Sequence, residues 1–442
     1  MIVGFFDSVN AMVIERTPPR YPRRGPSCLL VLFVLFGIVV GGFVIQNADE
    51  VRDTIIPTAT PEPTRSATEY AMLATLSKND GEYMEAIEYY EEAIRLDSTK
   101  PQFYIDLIEL LVRTGQPERA LTEAEAVTAL APDNDQVWTA IAAAYLANGD
   151  RLRDTGDTNS ANLQFAEAVQ AAEAAINLNP NNATALAYEA GGLVFQDNPE
   201  LYEQARIAAD EAIFLEPNNP IARYYMAEVF TLQGFYDSAR EQYQLGIQAD
   251  WSFVDLHIGL AYNFFANSRI PEAILSFKEA IEIDPNNAAA YDGLAYMYLQ
   301  LGQDVQAEEN ALKSVELNPN VARAHGRLGE AYFRQNKYDL AIEEFSQAVA
   351  LYGQPTPINA RFFYLLGEAY LREGTQFCPD AAPLFEQVVS VGASVYEESA
   401  LEGLVECRRV SLETLAESAP ETDLDLTTTP VPEATPTAAA SP

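Results

Sequence analysis

The chain has 442 residues, of which 27 are Lys or Arg and 65 are Asp or Glu, giving a formal net charge of −38. Nucleic-acid phosphates need a basic surface, so that balance argues against a nucleic-acid partner. The hydrophobic content of 48% is ample for a large core, and three cysteines without CxxC or Cys/His spacing point away from a disulfide-rich scaffold and from a zinc or redox site.

Residues 1–27 carry Arg16, Arg20, Arg23 and Arg24 among Pro18, Pro19, Pro22 and Pro26, a basic segment that fits no folded unit. Cys28 to Ile45 then runs without a charge, and its length at about 1.5 Å per residue approaches the roughly 30 Å bilayer core. The expectation is one transmembrane signal-anchor over 28–46. Arginines precede it and Asp49, Glu50 and Asp53 follow it, which leaves the N-terminus cytoplasmic and the rest outside the cytoplasm. Cleavage as a signal peptide is the rival reading, but Gln46 stands two before Ala48 where a small residue is wanted. A lipoprotein signal would need its cysteine after the apolar run, and Cys28 is at the front. Residues 47–66, including TIIPTATPEPTRS, form an extended Thr/Pro-rich linker.

From residue 67 a unit of about 34 residues recurs. In the copy from Ala288 to Asn320, Tyr291, Leu294, Ala295 and Tyr298 mark one helical face. Gly302 stops that helix. Ala307, Ala311, Ser314 and Val315 mark a second, and Asn318-Pro319-Asn320 ends it. Equivalent places hold His257, Leu260, Ala261 and Phe264 upstream and His325, Leu328, Gly329, Tyr332, Ala341, Phe345 and Ala348 downstream. Nine hairpins are placed, starting near Ala67, Pro101, Asp135, Ala183, Pro220, Val254, Ala288, Ala322 and Ala360. The third is longer, with both helices extended and the turn moved out to Asp154–Ser160. Its DTGDTNSAN segment lacks the spacing, glycine and closing glutamate of a calcium loop. A capping helical segment follows to residue 417, and 418–442 reads as a disordered Thr/Pro/Ala tail.

The pattern resembles the tetratricopeptide repeat, W-x2-L-G-x2-Y followed by A-x3-F and P, with His325 or Phe363 in the tryptophan place. In combination with the N-terminal segment it resembles a membrane-anchored bacterial type. The resemblance implies an all-α, right-handed superhelical solenoid over 67–417 whose first helices line a concave groove for peptides or protein segments. Some members hold C-terminal carboxylates with a lysine/asparagine clamp. Ala71, Thr75, Lys78 and Ile105 take those places here, so that clamp is not reproduced.

No motif of catalysis, cofactor binding or metal binding is present: there is no GxSxG, HExxH or phosphate-binding glycine loop. His257 and His325 take the same packing place in their hairpins. The expectation is a non-enzymatic, membrane-anchored, extracytoplasmic scaffold with a protein or peptide partner; the alternative is an accessory subunit of an envelope enzyme or of a secretion or assembly complex. On the expected concave face, Tyr224, Tyr262, Tyr296 and Tyr364 offer stacking rings. Arg323, Arg334, Arg361 and Arg372 offer forks for an acidic or C-terminal carboxylate end. The other reading of these arginines is an ion-pair ladder with Glu330 and Glu368. Cys378 and Cys407 lie where stacked hairpins would let them form a disulfide, or they remain two separate thiols.

Overall fold

A computed structural model describes residues 28–46, 65–392 and 395–418, with side chains for 31–42, 65–392 and 395–411. The basic N-terminal segment, nearly all of the expected linker and the expected tail lie outside the described residues. The chain divides into two compact units, 1–65 and 66–442.

In the first unit one helix runs over Cys28–Gln46. Among the described residues no helix is long and apolar enough to cross a membrane.

The second unit is a solenoid of helical hairpins, and no strand occurs among the described residues. First helices begin at Ala67, Pro101, Asp135, Ala183, Pro220, Val254, Ala288, Ala322 and Ala360, the nine residues marked by the sequence spacing. We number the hairpins 1 to 9; they span 67–96, 101–130, 135–178, 183–215, 220–249, 254–283, 288–317, 322–352 and 360–391. Caps fix the starts. Ser66 accepts from the Glu69 amide while Glu69 accepts from the Ser66 amide, closing a capping box. Asn134, Asn182, Asn219 and Asn287 each accept from an amide of the helix that follows.

Within a hairpin the chain reverses through one left-handed residue. Gly81, Gly115, Gly234 and Gly302 have φ between 67° and 81° there. Ser268 and Asn336 take the same position in hairpins 6 and 8, with φ of 58° and 59°. Asparagine visits that region at low cost; serine there is rarer. The core is built from alanines and glycines that let helices approach and from aromatics that fill the remaining space: Phe165, Phe277, Phe345, Phe363 and Phe385 are fully buried.

Hairpin 3 departs from the pattern. Its helices have 20 and 21 residues where most others have 13 and 14, an excess of about 10 Å each. Its tip, Thr155–Asp157, reaches hairpin 8, where Arg323 Nη1 donates to Asp154 Oδ1 at 3.1 Å. A Cβ on Gly156 would stand 3.1 Å from the Tyr352 ring. The array therefore curves far enough to bring residues 169 apart in sequence into contact.

Candidate functional site

A concavity of about 930 Å³ opens between hairpins 1 to 6 and the loops that join them. Glu109, Asp135, Glu216, Asp250, Asp255 and Asp284 line it against Lys78 and Arg113. Its floor is ordered by asparagines. Asn182 caps its own helix through Oδ1 and donates through Nδ2 to Asp135 Oδ2 and Thr139 Oγ1, each at 2.9 Å. Asn179 donates to the same Asp135 oxygen. Arg113 lies over the Tyr83 ring, 4.8 Å from its centre. Enclosure by protein pushes the Asp255 carboxyl up, and the charge of Arg113 pulls it back.

Beyond the cavity the extended helix of hairpin 3 runs beside hairpins 5 and 6. Asp150 pairs with Arg153 at 2.6 Å. Enclosure, with Asp154, Asp255 and Glu228 nearby, raises Asp150 to about 7 despite Arg153. The Arg153 guanidinium stacks over Phe195 at 4.7 Å. Glu228 accepts from the Tyr243 hydroxyl, and burial raises its pKa. At the tip, Asp292 of hairpin 7 is 1% exposed. It receives Arg323 Nε at 2.7 Å through its carboxylate and Arg327 at 2.7 Å through its carbonyl oxygen. Arg327 also pairs with the carboxylate and lies over the Tyr296 ring at 4.5 Å.

Family models described as tetratricopeptide repeat or TPR repeat match residues 79–144, 200–252, 261–302, 288–321, 306–354 and 327–389, together more than half of the sequence. The chain is a tetratricopeptide-repeat protein. No curated relative matches the sequence. Among solved structures it is similar to the human IFIT1 dimer with m7Gppp-AAAA, at 19% identity and a TM-score of 0.56, covering 86% of each chain. The human IFIT1 dimer with PPP-AAAA gives 19% identity and a TM-score of 0.55, covering 80% of this chain and 92% of that one. Pseudomonas aeruginosa pilF gives 19% identity and 0.43, covering 52% and 97%. At these identities the likeness is one of fold. The repeat family makes the array a scaffold for protein–protein interaction.

Against that array, the sequence-selected residues fall as follows. Arg323, Arg334 and Arg361 are each paired with carboxylates of the array. Arg323 holds Asp292 and Asp154. Arg334 and Arg361 converge on Glu330, which is 3% exposed, and Arg334 also donates to the Leu299 carbonyl at 2.6 Å. Arg372 lies 3.5 Å from Glu368 and is 60% exposed. The ladder reading therefore describes the geometry: a buried carboxylate needs a cation, and the stacked hairpin supplies it.

The tyrosines are likewise engaged within the repeats. Tyr224 packs edge-on to Tyr225 at 5.0 Å and Phe253 at 5.9 Å, Tyr262 to Phe277 at 5.1 Å, and Tyr296 to Phe265 at 5.2 Å; Tyr364 stacks on Tyr396 at 5.3 Å. Each of the four is half-buried against a neighbouring ring. Lys78 pairs with Glu109 at 3.3 Å and Thr75 bonds the Tyr90 hydroxyl. Cys378 and Cys407 are joined as a disulfide, their Cα atoms 5.2 Å apart. Among the described residues no cluster of His, Cys, Asp and Glu is set to hold a metal ion.

The cavity itself escaped the sequence reading. Asp135 read only as a helix start. The usable signal was recurrence: a carboxylate or asparagine returns at each junction between hairpins, at Asp135, Asn182, Glu216, Asp250 and Asp284.

Proposed function

We propose that the protein is a membrane-anchored, extracytoplasmic tetratricopeptide-repeat scaffold whose concave cavity in hairpins 1 to 6 holds a segment of a protein partner. The observation that carries this reading is the cavity of about 930 Å³, lined by polar and charged side chains on rigid helix ends. Six carboxylates against two cations suit a segment bearing lysine or arginine and repel nucleic-acid phosphates. The reading includes no catalytic step and no cofactor.

The anchor rests on the sequence. Cys28–Gln46 is one helix of 19 residues, about 28 Å long, uncharged throughout. Arginines stand before it and carboxylates after it, which supports a cytoplasmic N-terminus with the array on the other side.

Two measurements test the reading. Partner capture from detergent extracts should fall at least about tenfold, equivalent to about 1.4 kcal/mol, when Asp255 and Asp284 are both changed to Lys. Unchanged capture with intact folding would remove the cavity from the reading. One dominant enzyme among the captured proteins would turn it towards an accessory subunit. Separately, protease added to intact spheroplasts should digest the array; protection of residues 67–417 would sink the exported orientation.

A further inference from the structure

We propose that the tip of hairpin 3 is an internal ligand, a clasp whose Asp154 carboxylate occupies a carboxylate-binding position on Arg323 that an acidic segment of a partner takes when the clasp opens. The inference is independent of the cavity in hairpins 1 to 6. It begins with the charges at hairpins 7 and 8. Asp292 is nearly fully buried and is held by two guanidinium groups, Arg323 and Arg327. That trio carries one surplus positive charge. Asp154, arriving from hairpin 3, cancels it at 3.1 Å. The fourth member thus comes from 169 residues away, whereas the other three belong to adjacent hairpins.

The exposures separate a fixed part from a removable one. The Asp292 side chain is 2% exposed and that of Arg327 10%, so both stay in place. Asp154 and Arg323 are 36% and 33% exposed, so water reaches the contact that would open. A half-exposed ion pair contributes on the order of 1 kcal/mol, small enough to be exchanged for another carboxylate. Gly156 of the tip also lies close to Tyr352 and Asn359. A glycine offers little apolar surface to hold a closed state. When the tip leaves, Arg323 keeps Nε on Asp292 and presents Nη1 outward, already oriented by the buried carboxylate. That is a preorganised half of a fork for an incoming Asp, Glu or chain terminus.

Hydrogen exchange on the full chain tests the clasp, and a fluorescein-labelled hexaglutamate peptide in 0.15 M salt tests the site. Asp154→Asn should raise amide exchange across 150–158 about fivefold or more, the equivalent of the lost pair. The same variant should bind the peptide at least about fivefold more tightly than the unaltered protein. Adding Arg323→Gln should abolish that gain, and adding Arg323→Lys, which keeps the charge and spares the fold, should retain part of it. Unchanged exchange in Asp154→Asn would overturn the clasp. Faster exchange without a gain in peptide binding would overturn the carboxylate site. Neither result bears on charge reversal in the cavity, so the two readings fail separately.

Discussion

Gly329 of hairpin 8 lies flat against the ring of Phe345: a Cβ built on the glycine would stand 2.7 Å from the phenyl Cδ1. Helix-to-helix distance in the hairpin is thus set by a missing methyl group. Gly329→Ala would gain about 1 kcal/mol of helix propensity and lose about 1–3 kcal/mol to overpacking of a fully buried ring. A net loss is expected as a lower urea midpoint. The pair of changes Gly329→Ala and Phe345→Leu should recover part of it, because the smaller side chain returns the space.

His325 is wired for the charged state. Its Nδ1 meets Glu344 at 2.7 Å and its Nε2 meets the Pro319 carbonyl at 2.9 Å, so both nitrogens face acceptors. The bond to Glu344 raises its pKa above the usual histidine value, against the opposing effect of burial. The stabilisation this confers is complete below the unfolded pKa of about 6.5 and is lost as pH rises through the folded value. Glu344→Gln should lower the His325 pKa in an NMR titration. It should also flatten the fall of the unfolding midpoint through that window, at a cost of roughly 1–2 kcal/mol below it.

Asp150 has the opposite chemistry and the same sign. Its side chain keeps 44% of its surface, and the charges of Asp154, Asp255 and Glu228 act on it there. Its folded pKa of about 7 lies above the unfolded 3.8, so the proton is held more tightly by the folded chain. The stability it adds is present at low pH and is lost as pH rises towards 7. Asp150→Asn should therefore raise the melting temperature at pH 8 by more than at pH 5, while keeping the acceptor for Arg153. A lower melting temperature at pH 8 would mean that the Arg153 pairing outweighs the crowding of carboxylates.

The Cys378–Cys407 bond ties the capping helix Glu397–Ser418 to hairpin 9 across a sequence separation of 29. On the entropic account a loop of that length contributes about 3–4 kcal/mol. Reduction, or Cys407→Ser, should loosen the C-terminal end first, seen as faster exchange in 378–411 with hairpins 1 to 6 unchanged. Free alkylation of both cysteines in non-reducing peptide mapping would show the bond absent from the isolated protein.

Periodicity made the array legible because each hairpin buries its stripe on its neighbours, and that packing repeats in sequence. Gly302, Leu294 and Ala311 mark their places without help from the rest of the chain. The extension of hairpin 3 was also readable, since its turn at Thr155–Asp157 falls within the stretch expected from the surplus length. Its destination was not. Contact between Asp154 and Arg323 depends on rotation accumulated over five hairpins, and no local pattern records that sum. The arginines carried two readings, forks for a ligand's carboxylate or an ion-pair ladder between hairpins with Glu330 and Glu368. Their buried partners sit 31 residues back: Asp292 for Arg323 and Glu330 for Arg361. Lys78 and Glu109 show the same offset in the other direction. Charges paired at one repeat less three residues are a signal that a search by helix face alone passes over.

The contact between hairpins 3 and 8 also changes how the molecule bears load. A solenoid whose repeats touch only their neighbours is a spring in series, and tension at its ends stretches every junction in turn. Joining Asp154 to Arg323 places a strut across five of those junctions. At about 1 kcal/mol the strut is the first contact a pull would open, so the bridged segment gives up its slack before the packed junctions between repeats come apart.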